Sequence, residues 1–203
     1  KDFNRFEDRL NKCVATGTFH DLTTEPNTSF YQDFMSFFSE NTYQPMRREI
    51  FKNKDINQNV LESKISQFNE KINSKSKLRF SSLFYKQKTY FEFNIVDLYN
   101  SYKMVVVPEE LHGMPGISFA EAMMCGCLYI GLDDAMYTGL GMNPGVHYLT
   151  YNGSYDDLIR VISTAIQNQD YSKKIAQEGY QFARQNFSEI SVSSKLMQLL
   201  ERC

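Results

Sequence analysis

The sequence predicts an α/β fold built on a doubly wound parallel sheet, and three observations carry that expectation. Lys103 to Leu132, KMVVVPEELHGMPGISFAEAMMCGCLYIGL, reads as strand, turn, helix and second strand. Apolar runs too short for helices alternate with amphipathic segments along the rest of the chain. The strand candidates, above all Met104 to Val107, are continuously apolar and β-branched rather than alternating, which suits strands buried on both faces of a sheet.

In chain order, residues 2–10 read as a helical turn or two, and Lys12 to Thr16 as a short strand. It runs into Gly17, Thr18, Phe19 and His20, where a strand meeting a Gly-Thr turn is either a ligand edge or an ordinary tight turn. Thr28 or Ser29 then caps an aromatic helix whose Phe30, Phe34, Phe37 and Phe38 share one face and are expected in a core or a domain contact. Pro45 opens MRREIFKN, with Arg47 and Arg48 the only adjacent arginines. Two guanidinium groups beside a turn suit phosphate, though such pairs are commonplace on solvated faces. Asn57 to Ser76 have Val60, Leu61, Ile65, Phe68 and Ile72 at helical spacing and read as a surface helix. Lys77 to Asn94 suggest one or two strands.

Ile95 to Tyr102 form a short helix before the Met104 to Val107 strand, which Pro108 closes. Glu109 to Gly116 make a turn with two glycines and one further proline, and helical spacing resumes at Ile117 and stops at Gly126. Leu128 to Leu132 are the next strand, Asp133 to Gly145 a glycine-rich loop, and His147 to Tyr151 a short strand. SYDDLIRVISTAIQNQ carries Asp156 and Asp157 in its first turn, where the helix dipole favours acids. Two more helices follow, about Tyr171 to Phe187 and Ser188 to the end. In such a unit the amino end of the Ile117 helix lies at the carboxyl edge of the sheet, where anions bind.

Composition narrows the function classes. The chain has 203 residues, 42% hydrophobic and 23% charged, enough for one full core and a single domain. A formal net charge of −2 gives no global attraction to nucleic acid, so a small-molecule partner is expected. Cys13, Cys125, Cys127 and Cys203 lack zinc-ligand spacing and read as buried reduced thiols, which favours a reducing compartment; no metal site is expected. No stretch approaches the roughly 20 apolar residues of a spanning helix, and no secretory leader opens the chain, so a cytoplasmic protein is expected, at most at a membrane surface. Because the chain begins at Lys1, it is expected to be a piece of a larger protein.

Four runs, taken in order, carry a resemblance to a known family: IVDLYNSYKMVVVP, GMPGISFAEAMMCGC, GVHYLTYNGSYDDLIRVISTAI and KKIAQEGYQFARQNFS. The segment from Phe93 to Phe187 resembles the C-terminal, nucleotide-sugar-binding half of a GT-B glycosyltransferase, nearest to the large retaining group and its CgeB-like relatives. The first 90 residues match only in outline, with KCVATGTFH where the family has its opening strand and donor loop.

The resemblance implies residues 1–203 as one Rossmann-like donor-binding domain, with residues 188–203 a terminal helix that packs on an N-terminal domain supplying the acceptor site. It implies a nucleoside-diphosphate sugar of the UDP or GDP type as donor, with no further cofactor, and a glycan, lipid-linked or protein acceptor in glycan or polysaccharide synthesis. The family signature is two glutamates separated by seven residues, the first meeting the donor sugar and the second the ribose. Glu121 stands at the second position, and its alternative role is a first-turn acid stabilised by the helix dipole. The first position falls on Gly113, a departure that makes Glu110 and His112, upstream on the same turn, the substitutes to expect. The turn residues Gly113, Met114, Pro115, Gly116 and Ile117 would meet the diphosphate through backbone N–H groups. Gly17, Thr18 and His20 stand at the donor loop. The family's basic pair there is absent, and charge alone nominates Arg47 and Arg48 in its place. A non-catalytic nucleotide-binding or scaffold module that kept the fold is the alternative, consistent with Gly113. A dinucleotide-dependent oxidoreductase needs G-x-G-x-x-G after the first strand, and only GTF follows there.

Overall fold

In the computed structural model, which describes residues 4–24, 29–68 and 93–201, five parallel strands form one sheet in the order β2-β1-β3-β4-β5. The strands are β1 (Leu10–Phe19), β2 (Leu61–Gln67), β3 (Tyr102–Val106), β4 (Leu128–Leu132) and β5 (Leu149–Tyr151). The helices are α1 (Ser29–Phe38), α2 (Pro45–Lys52), α3 (Ile95–Ser101), α4 (Ser118–Met124), α5 (Ala135–Gly139), α6 (Tyr155–Gln167), α7 (Gln169–Phe187) and α8 (Glu189–Leu200). The expected α/β, Rossmann-like, doubly wound sheet is what the chain forms.

Both faces of the sheet are covered at its centre, which is why Cys13–Ala15, Met104–Val106 and Leu128–Ile130 are apolar at every position. Cys13, Ala15, Met104, Val106, Leu128 and Ile130 point to one face, where Ile50 of α2 and Leu158, Val161 and Ile162 of α6 cover them. Val14, Val105 and Tyr129 point to the other, under Tyr99 of α3, Phe119 and Met123 of α4, and Ala183 of α7. Period-two alternation therefore persists, but it separates two cores rather than core from solvent. α4 stops where Gly126 permits it: Gly126 N donates to Met123 O and Cys127 N to Ala122 O. Cys13, Cys125 and Cys127 are buried and free, with burial raising each thiol's pKa, that of Cys127 to about 12.

Four expectations are corrected. β1 is ten residues long and runs through Gly17 and Thr18, which pair with Ile65 and Ser66, to Phe19, so these two lie within the strand rather than forming a turn after it. Leu61–Gln67 is an edge strand and not part of a helix. Leu61 and Ile65, four apart, share a face in either structure, and Ser63 and Lys64 contribute no apolar side chain to decide between them. The aromatic face of α1 is not a core face throughout: Phe34 is buried, but Phe37 is 81% exposed and Phe30 half-exposed. The loop from Asp133 to Gly145 contains α5, started by Asp134, whose side chain accepts from Met136 N. The strands expected in Lys77 to Asn94 fall almost wholly outside the described residues, as does Cys203. No helix among the described residues is long and apolar enough to cross a membrane.

Successive strands leave β1 in opposite directions, to β2 on one side and to β3, β4 and β5 on the other. Such a reversal opens a crevice at the carboxyl ends of the two strands that flank it, here β1 and β3.

Candidate functional site

Arg47 spans that crevice. It sits in the first turn of α2, which Pro45 opens, and is only 8% exposed. Its Nε donates to Pro108 O at 2.7 Å and its Nη1 to Thr18 O at 3.0 Å, so one guanidinium joins the loop after β3 to the end of β1. Gly17 makes the approach possible. Its φ is +135°, and a Cβ there would stand 3.0 Å from Arg47 Nε. On the far side, a Cβ on Gly116 would lie 3.4 Å from Arg47 Nη2 and 3.3 Å from Val107 Cγ1. The structure thus gathers Gly17, Thr18, Arg47 and Gly116 around one buried cation. Arg48 turns away: its Nη1 donates to Asn41 Oδ1 and its Nη2 lies 3.8 Å from Asp21 Oδ2. The sequence nominated the pair but not their different placement, because Arg47 is positioned by contacts to residues 29 and 61 positions away.

The acidic turn is held from the other side of the crevice by the segment before α2. Gln44 Oε1 accepts from His20 N at 3.2 Å, and Gln44 Nε2 donates to Glu110 Oε1 at 3.3 Å. Leu111 N donates to Tyr43 O, and Gly113 N donates to Glu110 O, which closes the turn. His20 and Glu110 are therefore brought into one network by Gln44, a residue the sequence reading passed over. His112 is separated from it. Its exposed ring meets Phe38 edge-on at 5.2 Å, facing α1 rather than Glu110. Gly113 has φ +71°, and a Cβ there would be 3.0 Å from Asp134 Oδ2. An acidic side chain at position 113 is thus opposed by backbone strain and by the Asp134 carboxylate already above it.

Glu109, also unremarked in the sequence, is 4% exposed and ties the same loop to three other elements. Its Oε1 accepts from Leu132 N at 2.8 Å and from Tyr137 OH, and its Oε2 accepts from Tyr151 OH at 2.9 Å. Tyr137 OH also bonds Tyr129 OH at 2.6 Å. Burial first, and the Glu109 charge beside them, push the phenols of Tyr137 and Tyr151 far above the usual tyrosine range. A cavity of about 480 Å³ opens between this loop, α2 and the ends of β4 and β5; Arg48, Glu49, Glu109, Glu110, Gly113 and Tyr151 are in its wall. It falls within the range of about 300–1,000 Å³ typical of ligand clefts.

The amino end of α4 lies beyond the glycine turn. The helix is seven residues long, Ile117 at its start makes no side-chain cap bond, and Phe119 N and Ala120 N are bonded to Gly116 O and Ile117 O. So short a dipole is a minor attraction for an anion beside a guanidinium. Met114 and Ile117 are exposed at the rim, and Pro115 is half-buried. Glu121 is exposed in the first turn of α4, close enough for its charge to raise the Tyr99 phenol. Burial is the larger cause of that shift, to about 12, and Thr16 Oγ1 bonds Tyr99 OH at 3.0 Å. Among the described residues, no three His, Cys, Asp or Glu side chains cluster as a metal site.

No family model matches the sequence, and a search of curated proteins finds no match. Solved structures do resemble the fold. Anabaena HepE, crystallised with UDP-glucose, is 16% identical and superposes with a TM-score of 0.54 over 96% of this chain and 50% of its own. The sucrose-phosphate synthase of Thermosynechococcus elongatus is 12% identical, with a TM-score of 0.53 over 98% of this chain and 46% of its own. The C-terminal domain of LpcC, a glycosyl transferase group 1 family protein of Francisella tularensis, is 15% identical, with a TM-score of 0.52 over 90% of this chain and 89% of that one. The chain spans about half the length of the first two. At these identities the likeness establishes the fold, the α/β Rossmann-like domain found in GT-B glycosyltransferases.

Proposed function

We propose that this chain binds a nucleoside-diphosphate sugar and serves as the donor-binding part of a glycosyltransferase. The observation that carries the reading is the Arg47 guanidinium, buried between Thr18 O and Pro108 O beside Gly116, at the point in the sheet where α/β folds bind ligands. A diphosphate needs cationic compensation, and a guanidinium supplies both charge and directed donors. Similar structures carrying UDP or UDP-glucose support a nucleotide-sugar donor, which we take to be of the UDP or GDP type.

In this reading Arg47 and the backbone of Gly116 and Ile117 stabilise the leaving diphosphate. Met114 and Pro115 shape the turn, and Thr18 and His20 border it at the end of β1. Glu121 accepts hydrogen bonds from the ribose hydroxyls, and Glu110 faces the sugar in the cavity. His112, turned toward α1, is a rim residue facing the acceptor side. Arg48 supports the wall through Asp21 and Asn41 rather than meeting phosphate. The acceptor, whether glycan, lipid-linked or protein, is brought by an N-terminal domain, and the pathway is polysaccharide or glycan synthesis in the cytoplasm. A second reading, a binding module without catalysis, is favoured by one observation: position 113 has no acid, and Asp134 occupies the space above it.

The test is calorimetric titration of the chain with UDP, GDP and ADP. Binding of UDP or GDP, lost in Arg47→Met while circular dichroism stays unchanged, is the expected result. Absence of binding by all three contradicts the donor reading.

A further inference from the structure

Among the described residues, the wall of the cavity carries more acids than cations. Glu40, Glu49, Glu109 and Glu110 line it against Arg48 and Lys52. The two cations do not offset the four acids equally, because Arg48 is already directed to Asn41 and lies 3.8 Å from Asp21, an acid outside the wall. Asp134 adds a further carboxylate next to Gly113. Glu109 accepts three hydrogen bonds, from two phenols and a backbone N–H, and the charge of Arg47 reaches one of those phenols, Tyr151, so Glu109 is the most offset of the wall acids and Glu40, Glu49 and Glu110 carry the repulsion. Lys52 is exposed at the last turn of α2.

We infer that the cavity accepts an uncharged sugar and rejects one that carries a carboxylate, so that the donor is a nucleoside-diphosphate hexose or N-acetylhexosamine rather than a uronate. The inference rests on the donor reading and deepens it. Carboxylates in the wall suit hydroxyl-rich ligands, because each oxygen accepts hydrogen bonds that sugar hydroxyls donate, and among the described residues the Glu110 side chain makes one long bond, to Gln44. The same acids repel a ligand carboxylate. At an effective dielectric of about 20, one unopposed like charge about 10 Å away is sufficient for a discrimination of about tenfold.

The test uses two pairs of donors that differ only at C6, hydroxymethyl against carboxylate: UDP-glucose with UDP-glucuronate, and GDP-mannose with GDP-mannuronate. UDP and GDP alone are the references. Each donor is titrated into the 203-residue chain and into Glu110→Gln and the double variant Glu49→Gln, Glu110→Gln. For the base that binds, the uronate should be weaker than its neutral counterpart by about tenfold or more, and the gap should narrow in the single variant and further in the double. If UDP or GDP binds but the uronate matches its neutral counterpart in the parent chain, the selectivity inference is overturned and the donor reading stands. If neither nucleotide nor sugar nucleotide binds, both fall.

Discussion

Arg47 holds the crevice together and is also proposed to meet the ligand, so its replacement should have two separable effects. Arg47→Met keeps the length of the side chain but leaves Pro108 O and Thr18 O without their donor. Hydrogen bonds from charged groups are worth about 1.5–3 kcal/mol, and denaturant unfolding should report a loss of that order. Nucleotide binding should fall below detection in the variant even where it remains fully folded; retained affinity would remove the phosphate from this position. His147 supplies a prediction in pH. Its Nδ1 accepts from Asn143 N at 3.0 Å and its ring stacks on Phe182 at 4.4 Å. Burial holds its pKa below the usual value, with Glu178 pulling the other way. A depressed folded-state pKa means that stability is fully present above the unfolded histidine value of about 6.5 and is lost as pH falls through the lower folded one. The urea midpoint of the parent should therefore fall more than that of His147→Phe as pH drops from about 7.5 toward 5. Parallel curves would mean that His147 does not favour its neutral form in the fold.

Among the elements, α7 lies so close to the segment entering β5 that only glycine fits at position 179. A Cβ there would stand 2.4 Å from His147 O and 3.2 Å from Met123 Cε. Alanine is a better helix former than glycine by about 1 kcal/mol. Gly179→Ala should nonetheless lower stability, because a clash with backbone costs about 1–3 kcal/mol or more and His147 O cannot rotate away. A rise in denaturant midpoint would contradict the packing described. The same elements show what could be read from sequence. β3, α4, β4 and α6 were legible because their signals are local: an apolar β-branched run closed by Pro108, Gly126 after α4, and Ser154, whose hydroxyl accepts from Asp157 N. β2 was not, because Leu61 and Ile65 satisfy both periods. α5 was hidden because five residues among glycines carry no periodicity. Of the site, the glycine turn and the arginine pair were visible. Gln44 and Glu109 were not, since their roles arise only when the ends of β1, β3, β4 and β5 are brought to one edge.

For the whole molecule, the two cores enclose the sheet without help from α8. That helix buries no residue, and Ile190, Leu196, Met197, Leu199 and Leu200 are all more than half exposed. Replacing Leu196 and Leu200 with glutamine should change unfolding free energy by less than about 0.5 kcal/mol at each site, the scale of surface substitutions. A larger loss would show that α8 completes the core. The central claim, that a nucleotide sugar lies across the β1–β3 crevice, is tested most directly by amide hydrogen exchange with and without saturating UDP-glucose or GDP-mannose. Protection should rise in residues 16–20, 44–48 and 108–118 and stay unchanged in α8 and at the amino ends of the strands. Protection confined to other segments, or none at saturation, would contradict it.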